Sequence, residues 1–179
     1  SDIYLSDVKG RHVRALTQDS AEDASPRVMV DGRIAFASKR TGTWQIYTMN
    51  WDGSNVEAVT RKPGVNNYSP APSPDGRIVF LTDEFVKPQI MSVNADGTDS
   101  MRLSQGDFHH ANPLVGDDGH IYFTSSRESK WDIWKMAPDG SYITQVTHSM
   151  NNIEEIALVP STVRDKGLRS TNRSPMLPI

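Results

Sequence analysis

Cysteine is absent from all 179 residues, which excludes disulfides, thiolate metal sites and cysteine nucleophiles. No charge of one sign accumulates either. Nineteen Lys and Arg stand against 22 Asp and Glu, a net charge of −3, so the chain has no global basic field for nucleic acid. No hydrophobic run approaches membrane-spanning length, and membrane insertion is not expected. No segment carries a convincing 3.6-residue apolar stripe, which argues against amphipathic helices. There is no Gly-x-Ser-x-Gly elbow, no His-Glu-x-x-His and no phosphate-cradling glycine loop. The remainder, 36% apolar and 23% charged, suits a globular domain able to bury a core.

What the chain does have is one phrase written three times. The first copy runs Asp31-Gly32-Arg33-Ile34-Ala35-Phe36, Gln45-Ile46-Tyr47, Asp52-Gly53-Ser54 and Val59-Thr60. The second has Asp75-Gly76-Arg77-Ile78-Val79-Phe80, Gln89-Ile90-Met91, Asp96-Gly97-Thr98 and Leu103-Ser104. The third has Asp118-Gly119-His120-Ile121-Tyr122-Phe123, Asp132-Ile133-Trp134, Asp139-Gly140-Ser141 and Val146-Thr147. Gly32, Gly76 and Gly119 are 44 and 43 residues apart, and Gly53, Gly97 and Gly140 keep those intervals. A period of this size with four strand signals per unit points to propeller blades.

Within a unit, short runs rich in β-branched and aromatic residues alternate with polar ones, the period-2 signal of strands. For the first unit the spacing predicts strands near 25–30, 33–40, 44–50 and 56–60. The two Asp-Gly dipeptides predict tight hairpins, type I′ turns being the form that favours them. The chain therefore reads as all-β, a β-propeller of four-stranded antiparallel blades. Because strands run up and down, both Asp-Gly hairpins of each blade fall on one face. The loops 41–43, 84–88 and 128–130 and the connections 61–68, 105–112 and 148–154 fall on the other. That second face varies from blade to blade, and variable loops on a rigid scaffold are where binding usually resides.

At the start, Asp2-Ile3-Tyr4, Gly10 and Thr17 match Gln45-Ile46-Tyr47, Gly53 and Thr60, so the chain opens on the third strand of a blade. At the far end, Glu155 to Pro160 falls where another first strand belongs, while 163–170 make a poor second strand. Three complete blades plus parts of another, over residues 1–160, form either an incomplete ring or an unusually small one. An incomplete ring is finished by another copy of the chain, by a partner or by further sequence. Residues 161–179, with Arg164, Lys166, Arg169 and Arg173 against Asp165, read as a basic, flexible tail.

The phrase Ser73-Pro74-Asp75-Gly76-Arg77-Ile78-Val79-Phe80, then Gln89-Ile90-Met91 and Asp96-Gly97-Thr98, with Ser69-Pro70 upstream and Leu103-Ser104 closing, resembles the repeat of TolB-type β-propellers. The resemblance spans residues 2–160. It implies a periplasmic or secreted propeller, and similar repeats occur in the Tol system, beside serine peptidases and in oligogalacturonate lyases. Ser-Pro-Asp-Gly is complete only at 73–76, and nothing corresponds to the N-terminal α/β domain that TolB-type proteins generally carry.

Candidate site residues follow from register. Asp23, Asn67, His110 and Glu154 stand just before the innermost strands, at the expected mouth of the central channel, where they would hold a cation or a peptide terminus. Trp44 and Trp131 open their third strands near the variable face, as anchors for a partner or as packing between blades. Arg40 and Arg127 close second strands on that face and are placed to meet an acidic ligand, although Glu84 interrupts the series. His109, His110 and His148, with Asp107 nearby, are the candidate ligands for a divalent cation. Adjacent extended residues point opposite ways, however, which sets His109 against His110. The leading reading is a non-catalytic module binding a protein or small ligand and needing no cofactor. The alternatives are a metal-dependent lyase and the accessory propeller of a serine peptidase.

Overall fold

The computed structural model describes residues 1–148, 151–153 and 155–158. It is all-β: three four-stranded antiparallel sheets and one two-stranded sheet. The two-stranded sheet pairs β1 (Tyr4–Leu5) with β2 (Arg14–Ala15). The first blade comprises β3 (Asp23–Val28), β4 (Ile34–Ser38), β5 (Gln45–Met49) and β6 (Glu57–Ala58). The second comprises β7 (Asn67–Pro72), β8 (Arg77–Thr82), β9 (Gln89–Asn94) and β10 (Met101–Arg102). The third comprises β11 (His110–Val115), β12 (Ile121–Ser125), β13 (Asp132–Met136) and β14 (Thr144–Gln145). Each blade is a plain meander, so the predicted up-and-down order and the sharing of loop faces both hold.

The core lies between blades rather than inside them. Ile34 and Phe36 pack back against Ile3 and Leu16, which flank the two-stranded sheet, while Ala35 and Ala37 face forward to Ile78 and Phe80. Val79 and Leu81 in turn face Ile121 and Phe123. Middle strands are thus buried on both faces; all of β4 is buried. In the third blade the period-2 pattern reappears along β13, which alternates between buried and half-buried residues.

The hairpin turns differ from the type I′ expectation. Only the glycine of each Asp-Gly pair has positive φ, for example +87° at Gly76 and +86° at Gly97. The Gly76 and Gly97 amides donate to the carbonyls of Ser73 and Asn94, three residues back. That is a type I turn followed by a left-handed glycine. The Asp carboxylate closes it by accepting from the amide two residues on, as Asp96 does from Thr98 at 2.9 Å.

Glycine is required most strictly in the hairpin between the third and fourth strands. A Cβ at Gly53, Gly97 or Gly140 would stand 2.7, 2.7 or 2.5 Å from the carbonyl oxygen of Leu16, Val59 or Leu103 in the preceding blade. Gly76, at the same φ, has nothing within 4 Å. Gly97→Ala is therefore expected to destabilise by about 1–3 kcal/mol more than Gly76→Ala. Urea denaturation of both variants measures the difference; equal losses would show that the blade-to-blade approach carries no weight.

Glu155–Leu158 form no strand. A first strand is held by pairing to its own second strand, and the segment in that slot, 163–170, expected to make a poor strand, lies outside the described residues. Glu154 and the basic tail 161–179 lie outside them too. No helix among the described residues is long and apolar enough to cross a membrane.

Candidate functional site

The innermost strands carry the same distortion in every blade. Pairing of β3, β7 and β11 breaks between Ala24 and Arg27, Tyr68 and Ala71, and Ala111 and Leu114. Each break holds an X-Pro pair: Ser25-Pro26, Ser69-Pro70 and Asn112-Pro113. Proline has no N–H to give to a ladder, so a bulge on a channel-facing edge is where it fits. Ser25, Ser69 and Asn112 adopt φ of 54°, 53° and 50°, a conformation that costs a non-glycine residue roughly 1–3 kcal/mol. The bulged residues line a cavity of about 250 Å³, together with Arg27, Glu155 and Ile156.

Asp23, Asn67 and His110, two residues before each bulge, do not open onto that cavity. They are 3%, 4% and 2% exposed. The two-residue offset brings them under the loop face, where the backbone joins adjacent blades: the Asn67 amide donates to the Trp44 carbonyl at 2.7 Å. The Asp23 amide donates likewise to Ser1, and the Ile153 amide to Trp131. In this register Ile153, one residue before Glu154, takes the fourth slot. The channel lining therefore includes Ser25, Ser69, Asn112 and Glu155, the first three of which lie two residues beyond the positions that register picked out. The repeated X-Pro was the available signal.

Asn67 belongs to a buried knot. Gln45 Nε2 donates to the carbonyls of Val65 (2.7 Å) and Lys62 (3.1 Å) and to Thr43 Oγ1 (3.1 Å). Its Oε1 accepts from Thr60 Oγ1 (2.8 Å), Asn67 Nδ2 (3.0 Å) and the Lys62 amide (3.3 Å). One side chain thereby ties the third and fourth strands of a blade to the connection and to the next blade. Ser104 and Gln89, and Thr147 and Asp132, repeat the pairing at 2.8 and 2.7 Å.

Trp44 and Trp131 are half-buried. Trp44 packs on the core shared by the first two blades and, with Tyr68, Ser69 and Asp83, lines an open cavity of about 350 Å³. Lys39 Nζ lies 4.9 Å from its ring. Burial, and then the Asp83 charge, raises the pKa of the Tyr68 phenol. Trp131 lies 6.2 Å from the His109 ring.

The three histidines are not brought together. His110 points inward, edge-on to Phe123 at 5.3 Å, whereas His109 and His148 are exposed. Among the described residues no group of three His, Cys, Asp or Glu side chains is placed to hold a metal ion. The Asp-Gly carboxylates are structural. Asp52, Asp96 and Asp139 have lowered pKa values because the hydroxyl, and then the amide, of Ser54, Thr98 and Ser141 bind them.

Antiparallel four-stranded blades, set side by side around a bulged channel edge, define a β-propeller. Residues 1–113 match the PD40 family, the TolB beta propeller domain, and the chain belongs to that family. An uncharacterised protein of Agrobacterium fabrum is 38% identical over 74 residues, 41% of this chain and 25% of that protein. TolB from Acinetobacter baumannii superposes with a TM-score of 0.72 at 21% identity, over 83% of this chain and 38% of that one. A puromycin-hydrolysing peptidase of Mycobacterium tuberculosis superposes with a TM-score of 0.62 at 12% identity, over 82% of this chain and 24% of that one. The chain thus spans well under half the length of these relatives, and the structural likenesses establish the shared fold.

Proposed function

We propose that this propeller domain is a non-catalytic binding module, periplasmic or secreted, that grips a protein partner or short ligand with its variable loop face and channel mouth. The observation that carries this is the channel cavity, to which matching positions of successive repeats bring Ser25, Ser69, Asn112 and Glu155. Bulges hold three of these lining residues at strained φ, and such strain gathers at functional sites. Trp44 and Trp131 flank the mouth as partner anchors, and Asp23, Asn67 and His110 stand behind it. The module needs no cofactor, and a second copy, a partner or further sequence completes the ring.

A photo-crosslinking amino acid at Ser129 on the loop face, and in a second variant at Asp75 on the hairpin face, tests this in the source cells. Adducts are expected from Ser129 alone and are expected to disappear on Trp44→Ala and Trp131→Ala. A second copy in the adduct would identify ring completion by self-association. Equal labelling from Asp75, or labelling indifferent to both tryptophans, would defeat the proposal.

A further inference from the structure

Each blade ends its second strand with a charged residue at the same place on the loop face: Arg40, Glu84 and Arg127. The first two are neutralised within the chain. Arg40 Nη2 meets Asp19 Oδ2 at 3.2 Å and Asp23 Oδ1 at 3.4 Å, and its Nε donates to Ser38 Oγ at 2.9 Å. Its guanidinium lies over Tyr47 and Phe36, 4.8 and 5.4 Å from their ring centres. Glu84 pairs with Lys62.

Arg127 keeps the aromatic seat but has lost the acids. It lies 5.0 Å from the Phe108 ring and 5.6 Å from Trp134, and Ser125 stands where Ser38 does. The place of Asp19 is taken by Gly106, and that of Asp23 by His110. Among the described residues no carboxylate comes within 4.0 Å of Arg127; its hydrogen bond there is a long one, 3.4 Å from Nη2 to the Gln105 carbonyl. Arg127 Nε, Ser125 Oγ and both His110 ring nitrogens are buried and find no partner among the described residues. Buried polar groups are rarely left unsatisfied, so such a cluster marks a place for a ligand or solvent. Glu128 acts on Arg127 without closing an ion pair with it. A guanidinium with no paired carboxylate, held between aromatic rings, selects an anion, and its fork matches a carboxylate.

We propose that this slot of the third blade binds a carboxylate supplied by another molecule, which takes the position beside Arg127 that the Asp23 carboxylate takes beside Arg40. Arg127 is the charge partner, and Ser125 Oγ and His110 supply hydrogen bonds. This rests on the loop face being the binding face, and it names the chemistry recognised there. A peptide C-terminus and a sugar acid both present that group.

The test follows the Arg127 Nε–H and His110 ring resonances by NMR while N-acetylalanine, galacturonic acid or N-acetylalanine amide is added at constant ionic strength. The two acids are expected to shift both resonances and the amide neither. The tighter acid identifies the source as peptide or sugar. Arg127→Gln is expected to weaken binding about tenfold or more. His110→Asp supplies the missing carboxylate within the chain, and is expected to raise Tm and abolish the titration. Unmoved resonances with both acids, an equal response to the amide, or acid binding that survives Arg127→Gln would overturn the proposal and leave the cluster hydrated. Arg127→Gln lies at a half-exposed position, so it decides the matter even where His110→Asp does not fold. Acid binding without the tryptophan-dependent crosslinks would leave the slot standing while the module reading fell.

Discussion

Replacing Gln45 with leucine is expected to cost about 4 kcal/mol of folding stability, a large share of what a domain this size holds. The side chain is 2% exposed and makes six hydrogen bonds to five residues, in a loop of its own blade, in the connection and in the next blade. Leucine fills the volume but strands the Val65 carbonyl and Asn67 Nδ2 and removes the closer donor of the Lys62 carbonyl. Each buried orphan costs about 1–3 kcal/mol, partly relieved by water at the connection. Gln89 makes three such bonds, so Gln89→Leu should cost distinctly less. Urea titrations followed by tryptophan fluorescence give both values. A Gln45→Leu loss below about 1 kcal/mol would remove the knot from the account of blade docking.

Acid should weaken the fold through His110. Burial, reinforced by Arg127 and more weakly by His109 and Arg102, lowers its pKa from 6.5 to about 4. In the unfolded chain the imidazole protonates near 6.5, so between pH 6.5 and about 4 the unfolded state holds the extra proton. The stability this group contributes is complete above pH 6.5 and is lost as pH falls to about 4, some 3 kcal/mol in all. His110→Asn places there the residue that the second blade carries at Asn67. Its stability should run flatter than that of the parent over this window. Parallel curves would mean that His110 titrates normally and is not desolvated.

The architecture was legible because the repeat is long-range information written locally. Asp-Gly pairs, apolar triplets and their constant spacing give blade number, strand order and shared loop faces. Turn type was not legible, since Asp-Gly serves both a type I′ turn and the type I turn with a left-handed glycine that forms at Gly76 and Gly97. The channel was misplaced by two residues for a related reason. Asp23, Asn67 and His110 were chosen for standing just before the innermost strands, a position that does not reveal the X-Pro bulges two residues on, where the cavity lining lies. Gln45 and Gln89 stood in the repeat from the outset, but their partners are backbone carbonyls of connections whose path no periodicity describes. Arg127 was visible as the fellow of Arg40, yet its isolation depends on Gly106 and His110 replacing two acids, which shows only once blades are compared slot by slot.

Gly53, Gly97 and Gly140 have a geometric meaning beyond their own turns. Each sits on the outer hairpin of its blade, pressed against the backbone of the blade before it. Spacing at the circumference relative to the channel fixes the wedge angle of each sector, and the sector angle fixes how many sectors fill a circle. A methyl group at those three positions would act as a shim, splaying the rim and asking for a ring of different blade number. The curvature of the arc is thus set at its perimeter by three missing side chains, away from the channel where the ring would do its binding.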